Sequence, residues 1–112
     1  MLHLALILAS LHSNAFDAPS VPSELDRIRP FMETWCIGCH EGRRSKADLD
    51  LVVMLDRIDA GELPASIDRI IDRLSERDMP PPEEPRPGEA EYDDIIDALE
   101  GLVARRGVTG VA

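Results

Sequence analysis

Three residues within five consecutive positions have the types and the spacing for one chemistry. Cys36 and Cys39 are the two cysteines of the 112-residue chain, and His40 directly follows the second one. C-x-x-C-H is the signature of covalent haem attachment. On a tight turn, thiols three residues apart can reach the two vinyl groups of one porphyrin edge, and the next imidazole can bind the iron. The motif therefore predicts one covalently attached haem c, with Cys36 and Cys39 forming the thioethers and His40 as the proximal ligand.

A second iron ligand is expected among the methionines. Iron bound by histidine on one face takes methionine, histidine or an open position on the other. Met32, on the same predicted helix as the motif, is expected to pack at the ring edge, and Met54 lies in an apolar stretch typical of a core. Met79 ends a helical pattern and precedes three prolines. Because a stiff segment lowers the entropy cost of holding a weak ligand, we predict Met79 as the distal ligand, so that His40 and Met79 bind the metal.

Other chemistry remains open to the same residues. If Met79 does not bind, a five-coordinate iron would suit a gas sensor or a peroxide-reactive enzyme. A haemless exported C-x-x-C dithiol protein is the other alternative, although a thioredoxin-like dithiol expects strand-rich runs that this chain lacks. A zinc site needs four ligands, so an aspartate would have to complete an unusual set.

With both axial positions of the iron filled, we expect electron transfer and no catalysis, since the chain also offers no nucleophile–base pair.

The N-terminal segment has the features of an export signal. Residues 2–11 form an apolar run of the length of a signal-peptide core, too short to span a bilayer. Ser13 and Ala15 are small residues at the two positions that a signal peptidase reads, although no lysine or arginine precedes the run. A buried amphipathic helix or a misassigned start codon is the alternative. Residues 1–15 are therefore predicted to be a signal peptide, and the mature protein is expected in the periplasm or another exported compartment.

The charge balance excludes several classes of partner. The chain has 22 acidic against 12 basic residues and a net charge of -10. A nucleic-acid binder needs a basic surface, so no nucleic acid is expected, and docking on anionic membranes is disfavoured as well. After signal cleavage we expect no stable membrane span. A redox partner protein is expected to bind through its own basic surface, with an association that salt weakens.

Capping residues and prolines outline the helices that must position the motif. Ser23 and Asp26 have the spacing of a capping box, which predicts a helix from Glu24 into the mid-thirties with Pro30 inside it. Its apolar face leads directly into the attachment motif. The mature chain is therefore expected to start its folded part shortly before the haem site.

The remaining elements are also predicted to be helical. Residues 48–56 alternate at first and then turn helical, and Pro64 suits the first turn of a further helix that ends before Met79. A last amphipathic helix is predicted over 89–105, with Gly107 as its stop. The fold class is therefore all-α, a small cytochrome c-like fold of three to four short helices around one haem. Its predicted segments are a signal peptide (1–15), a linker (16–22), the haem domain (23–107) and a C-terminal tail (108–112).

Large aromatic residues are scarce, at 4% of the chain. A small domain with so few rings would gain from another bulky apolar filler, and the haem would provide it. The residues predicted to pack around the haem are Phe31, Trp35, Ile67, Ile70, Leu74, Ile95, Ile96 and Leu99.

Two stretches resemble a known family. The runs FMETWCIGCHEGRRSKADLDL and DMPPPEEPRPGEAEYDDIIDALE are similar to the small cytochrome c domain that opens large planctomycete-type cytochrome c proteins. The resemblance covers residues 29–100. It implies covalent haem on Cys36 and Cys39, His40 as proximal ligand and Met79 as distal ligand.

The chain departs from that family in two ways. Ala98 stands where related chains often carry a tryptophan, so haem packing there is expected to differ. The sequence stops at Ala112, while many relatives continue into further domains. The chain is therefore expected to be either a free-standing carrier or a truncated gene product, in which case it would be the carrier module of a larger redox system.

Overall fold

The computed structural model describes residues 23–43 and 45–109. The predicted signal peptide (1–15), the linker (16–22) and residues 110–112 of the predicted tail lie outside the described residues. The described part of the chain is all-helical and contains no strand, which confirms the predicted all-α class. Its elements are α1 (Glu24–Trp35), a short 3₁₀ turn (Lys46–Asp48), α2 (Leu51–Asp59), α3 (Ser66–Ser75) and α4 (Glu89–Thr109).

Helix α1 begins at the predicted capping box. The Ser23 hydroxyl accepts a hydrogen bond from the Asp26 backbone at 3.2 Å, and the Asp26 carboxylate accepts one from the Ser23 backbone at 3.0 Å. The helix runs through Pro30 and ends at Trp35. Cys36 caps it, with its backbone N–H donating to the Met32 carbonyl at 3.0 Å. The attachment motif therefore starts where α1 ends.

Two predicted helix boundaries were wrong. Helix α3 starts at Ser66, not at Pro64, whose carbonyl instead accepts from the Ile67 N–H at 3.2 Å just before the helix. Helix α4 continues through Gly107 to Thr109. Glycine costs an interior helix turn about 1 kcal/mol. Tertiary contacts offset that cost here, because the Arg106 guanidinium donates to the carbonyls of Ile58 and Glu62 at 2.7 Å and ties the last turns to the end of α2.

Helix α4 is the central element of the bundle. It packs against α1 and α3, and α1 also packs against α2. Of the residues predicted to surround the haem, Ile67, Leu74, Ile95 and Leu99 are buried, whereas Phe31, Ile70 and Ile96 are partly buried against them. No helix within the described ranges is long and apolar enough to cross a membrane. The buried apolar core consists of Ile28, Met32, Leu51, Met54, Leu55, Ile58, Ile67, Leu74, Tyr92, Ile95, Ala98, Leu99 and Leu102.

Candidate functional site

Four residues singled out by the sequence line one cleft. Cys36, Cys39 and His40 follow α1, Met79 follows α3, and all four contribute to the wall of the same surface cleft. The remaining lining residues come from the end of α1 and from the proline-rich segment: Thr34, Trp35, Pro80, Pro81, Glu84 and Pro85.

The attachment motif forms a tight turn that continues α1. The Cys39 N–H donates to the Cys36 carbonyl at 3.2 Å, and the His40 N–H donates to the carbonyls of Cys36 and Ile37 at 3.2 and 3.0 Å. Both cysteines are free thiols, with Cys36 half-buried and Cys39 exposed. A Cβ atom on Gly38 would meet no protein atom within 4 Å, so the polypeptide itself does not require glycine there.

The Cys36 thiol is poorly suited to redox exchange on its own. Burial, and after it the nearby Cys39 thiol, raises the pKa of Cys36 to about 12. The thiolate is the nucleophile in thiol–disulfide exchange, and reactive C-x-x-C cysteines have lowered pKa values. Cys36 is therefore protonated at neutral pH, which disfavours a thioredoxin-like role for this pair.

A backbone carbonyl selects the tautomer of His40. The Nδ1 atom of His40 lies 2.9 Å from the Lys46 carbonyl oxygen. A carbonyl can only accept, so in the neutral imidazole Nδ1 carries the proton and Nε2 carries the lone pair. A metal-binding histidine typically donates its other ring N–H in this way, which orients the ring. The His40 side chain is thus prepared to act as a ligand through Nε2.

The loop after the motif is held by Asp50, a residue that the sequence analysis missed. One Asp50 carboxylate oxygen accepts from the Val52 and Val53 N–H groups at 3.0 and 3.1 Å and caps α2, while the other accepts from Gly42 at 2.9 Å. The hydrogen bond from Val53 above all, with those from Gly42 and Val52, holds the pKa of Asp50 below its usual value. An aspartate directly before an apolar helical run is a recognisable N-cap signal.

The same loop pairs its backbone with the motif. The Lys46 N–H donates to the Cys39 carbonyl at 2.9 Å, and the Leu51 N–H donates to the His40 carbonyl at 2.7 Å. Together with the Asp50 contacts, these bonds fold the loop back over the turn that carries the cysteines. The loop therefore fixes the position of the Lys46 carbonyl relative to the imidazole.

Met79 is the methionine that reaches the cleft. Its residue is 38% exposed, and its carbonyl accepts a hydrogen bond from the Tyr92 hydroxyl at 3.0 Å. The peptide bond between Met79 and Pro80 is cis. Met54 is buried in the core, as predicted. Met32 is fully buried as well and does not line the cleft, and its packing at a ring edge stays a prediction.

Most of the residues predicted to pack around a haem do not line the cleft. Only Trp35 among them lines the cleft, because the aliphatic ones pack between the helices. Ala98 is fully buried in that helical core and does not line the cleft either.

The cleft brings together an unusual set of donors. Its lining residues include two cysteines, one histidine and one methionine. Within the part of the chain that the structure describes, no group of three or more His, Cys, Asp or Glu side chains is arranged to hold a metal ion. A zinc site would need four such ligands, so the geometry offers no support for one.

The chain was compared with known proteins at three levels. No family model matches it, and no curated protein or solved structure matches it either. Function therefore has to be inferred from the cleft and from the segments that hold its residues.

Proposed function

We propose that this chain is a single-haem electron-transfer protein of the c type, similar to the planctomycete-type cytochrome c domain. The observation that carries the proposal is the convergence of Cys36, Cys39, His40 and Met79 on one cleft. Met79 is separated from the motif by α2 and α3, and its arrival at the same cleft does not follow from the C-x-x-C-H spacing. This convergence is what a tethered haem with two axial ligands requires.

Each of the four residues has a distinct role in this proposal. The sulfurs of Cys36 and Cys39 hold the haem covalently, the Nε2 atom of His40 is the proximal ligand, and Met79 is the distal one. The haem, when bound, supplies one-electron redox chemistry at its iron. With both axial positions occupied by side chains no substrate site remains at the iron, so the protein is proposed not to be an enzyme.

The surroundings of the motif suit a carrier. Cys39 is exposed, so a group bound through its sulfur lies within reach of a partner protein. The net charge of -10 favours partners with basic surfaces.

Export to the periplasm or an equivalent compartment belongs to the same proposal, because the predicted signal peptide would bring the chain there. Sequencing the N-terminus of the mature protein tests this, and Phe16 is the expected first residue.

The decisive experiment is to express the full chain together with haem-attachment machinery and to examine the purified protein. We expect a mass higher than that of the polypeptide by one haem, together with a six-coordinate low-spin absorption spectrum. The double variant Cys36→Ala/Cys39→Ala is the matched control and should carry no covalently bound haem.

Two other results would contradict the proposal in different ways. A five-coordinate high-spin spectrum would favour the sensor or peroxide-reactive enzyme, because it would leave an open position at the iron. A colourless protein with both thiols open to alkylation would favour the haemless dithiol protein.

A further inference from the structure

We propose that Tyr92 is a positioning residue for Met79, whose hydroxyl fastens the Met79 backbone to α4 and so determines how firmly the thioether is presented at the cleft. The inference rests on the proposed function, because it concerns the distal ligand of the same site. Tyr92 lies within the stretch that carries the family resemblance, but neither the resemblance nor the attachment motif assigned it a role.

The Tyr92 hydroxyl acts both as a hydrogen-bond donor and as an acceptor. It donates to the Met79 carbonyl at 3.0 Å, and it accepts from the Nε and Nη2 atoms of Arg86, each at 3.3 Å. The ring is buried, with 2% of its surface exposed, and it belongs to the central helix of the bundle. The hydroxyl of this buried residue thus links the central helix α4 to the segment that carries Met79.

Two arginines hold this link in place. The guanidinium of Arg77 lies over the Tyr92 ring at 4.4 Å from its centroid, a cation–π geometry. Arg77 also pairs with Glu89 at 2.9 Å and with Asp93 at 3.3 Å, both on α4. Arg86 in turn donates to the Arg77 carbonyl. The segment on both sides of Met79 is therefore anchored to the first turns of α4.

The backbone contact matters because the Met79 residue itself is poorly enclosed. At 38% exposure, it is not held mainly by core packing. By holding the Met79 backbone beside α4, the bond from Tyr92 favours the position from which this residue lines the cleft, and losing the bond would let the segment move away more easily. The hydrogen bond therefore stabilises the state with Met79 bound relative to the displaced state, and only such a difference shifts the equilibrium between them.

The test uses the full-length ferric haem protein and imidazole as the competing ligand. Tyr92→Phe keeps the ring, its burial and the contact with Arg77, and removes only the hydroxyl. We expect imidazole to bind about fivefold more tightly than to the wild type, the effect of losing about one net hydrogen bond. The reduction potential should fall as well, because methionine ligation raises it.

A matched control separates positioning from general destabilisation. Ile58→Val removes one methylene from a fully buried position on α2 that does not line the cleft. It should lower the unfolding temperature and leave imidazole affinity unchanged. In a Met79→Ala background, Tyr92→Phe should leave the imidazole affinity unchanged, because the methionine that Tyr92 positions has already been removed. If Tyr92→Phe does not fold, Arg86→Gln loosens the same hydroxyl and should change the affinity in the same direction.

The outcomes distinguish this inference from the proposed function. Unchanged imidazole affinity in Tyr92→Phe, an equal rise in Ile58→Val, or an undiminished effect in the Met79→Ala background would each overturn the role of Tyr92 while leaving the haem proposal intact. A wild-type protein without haem would overturn both.

Discussion

The Nδ1 atom of His40 lies 2.9 Å from the carbonyl oxygen of Lys46, and this contact leaves Nε2 as the nitrogen available to a metal. The carbonyl is presented by a turn whose next two residues, Ala47 and Asp48, have φ angles of 59° and 54°. Residues other than glycine rarely adopt this left-handed region. The orientation of the imidazole therefore depends on an unusual backbone conformation several residues away from it.

Changing the residue at this turn should affect iron ligation without touching His40. Proline cannot adopt a positive φ, so Ala47→Pro should displace the Lys46 carbonyl and weaken the bond from Nδ1. We expect the haem to stay attached through the cysteines. The low-spin fraction of the ferric protein should fall by about half or more, which is the effect expected from losing about one hydrogen bond. Absorption spectra at neutral pH measure this fraction.

Ala47→Gly is the matched control, because glycine adopts a positive φ readily. It should keep the wild-type spectrum. Identical spectra for the glycine and proline variants would show that the turn does not orient His40.

The two thiols should differ in reactivity before haem is attached. Cys39 is exposed, whereas burial raises the pKa of Cys36 to about 12 from its ordinary 9.0. Iodoacetamide at pH 8 should therefore modify Cys39 well before Cys36. The rate at Cys36 should rise about tenfold per pH unit up to its pKa, because only the thiolate reacts. Mass spectrometry of digested samples assigns the site, and equal rates at pH 8 would contradict the prediction.

Replacing Met79 should change the electronic properties of the haem more than the fold. In Met79→Ala we expect the haem to remain attached and the reduction potential to fall by on the order of 0.1 V, because axial ligands tune it over about 0.8 V. Met54→Leu is the control, since Met54 is buried in the core and a volume-conserving exchange there costs less than about 1.5 kcal/mol. Potentiometric titration compares them, and an equal fall in both variants would refute the assignment of Met79.

Asp50 should contribute to acid sensitivity. The hydrogen bonds to its carboxylate lower the pKa of Asp50 in the folded chain. The ionised carboxylate therefore stabilises the fold at pH values above its ordinary pKa of 3.8, and this contribution is lost as the pH falls below 3.8. Asp50→Asn keeps an N-cap but cannot titrate, and its unfolding temperature should depend less on pH below about 4. Asp50→Ala loses the cap too and should unfold about 5 °C lower at neutral pH. Thermal unfolding monitored by circular dichroism tests both, and a wild-type acid slope in Asp50→Asn would count against the role.

Salt should slow electron exchange with a basic partner. The chain carries a net charge of -10, and raising the ionic strength from about 0.01 M to 1 M shortens the screening length from about 30 Å to about 3 Å. With a small basic electron-transfer protein as donor, we expect the second-order rate to fall by at least about tenfold. A neutral small-molecule reductant is the control and should show no such decline. Stopped-flow kinetics measure both rates, and a salt-independent protein–protein rate would argue against charge-guided docking.

Sequence reasoning succeeded where the determinants are local. The capping box at Ser23 and Asp26 and the position of the cysteines at the end of α1 depend on residues a few positions apart. It failed at the end of α4, where Gly107 continues the helix because Arg106 bonds to carbonyls of a distant segment. The aliphatic residues predicted to pack around a haem are buried or partly buried between the helices, and their contact with a haem stays a prediction.

The C-x-x-C-H pattern of Cys36, Cys39 and His40 could be found from the chain alone, because it is defined only by residue types and spacing. Helix packing was needed to bring Met79 to the same cleft, to place Tyr92 against its carbonyl and to set the Lys46 carbonyl beside the imidazole. These contacts join segments whose relative positions depend on how α1, α3 and α4 cross and on how the loops fold back. Hydrophobic periodicity indicates which face of a helix is buried, but it does not indicate which residues of other elements that face will contact.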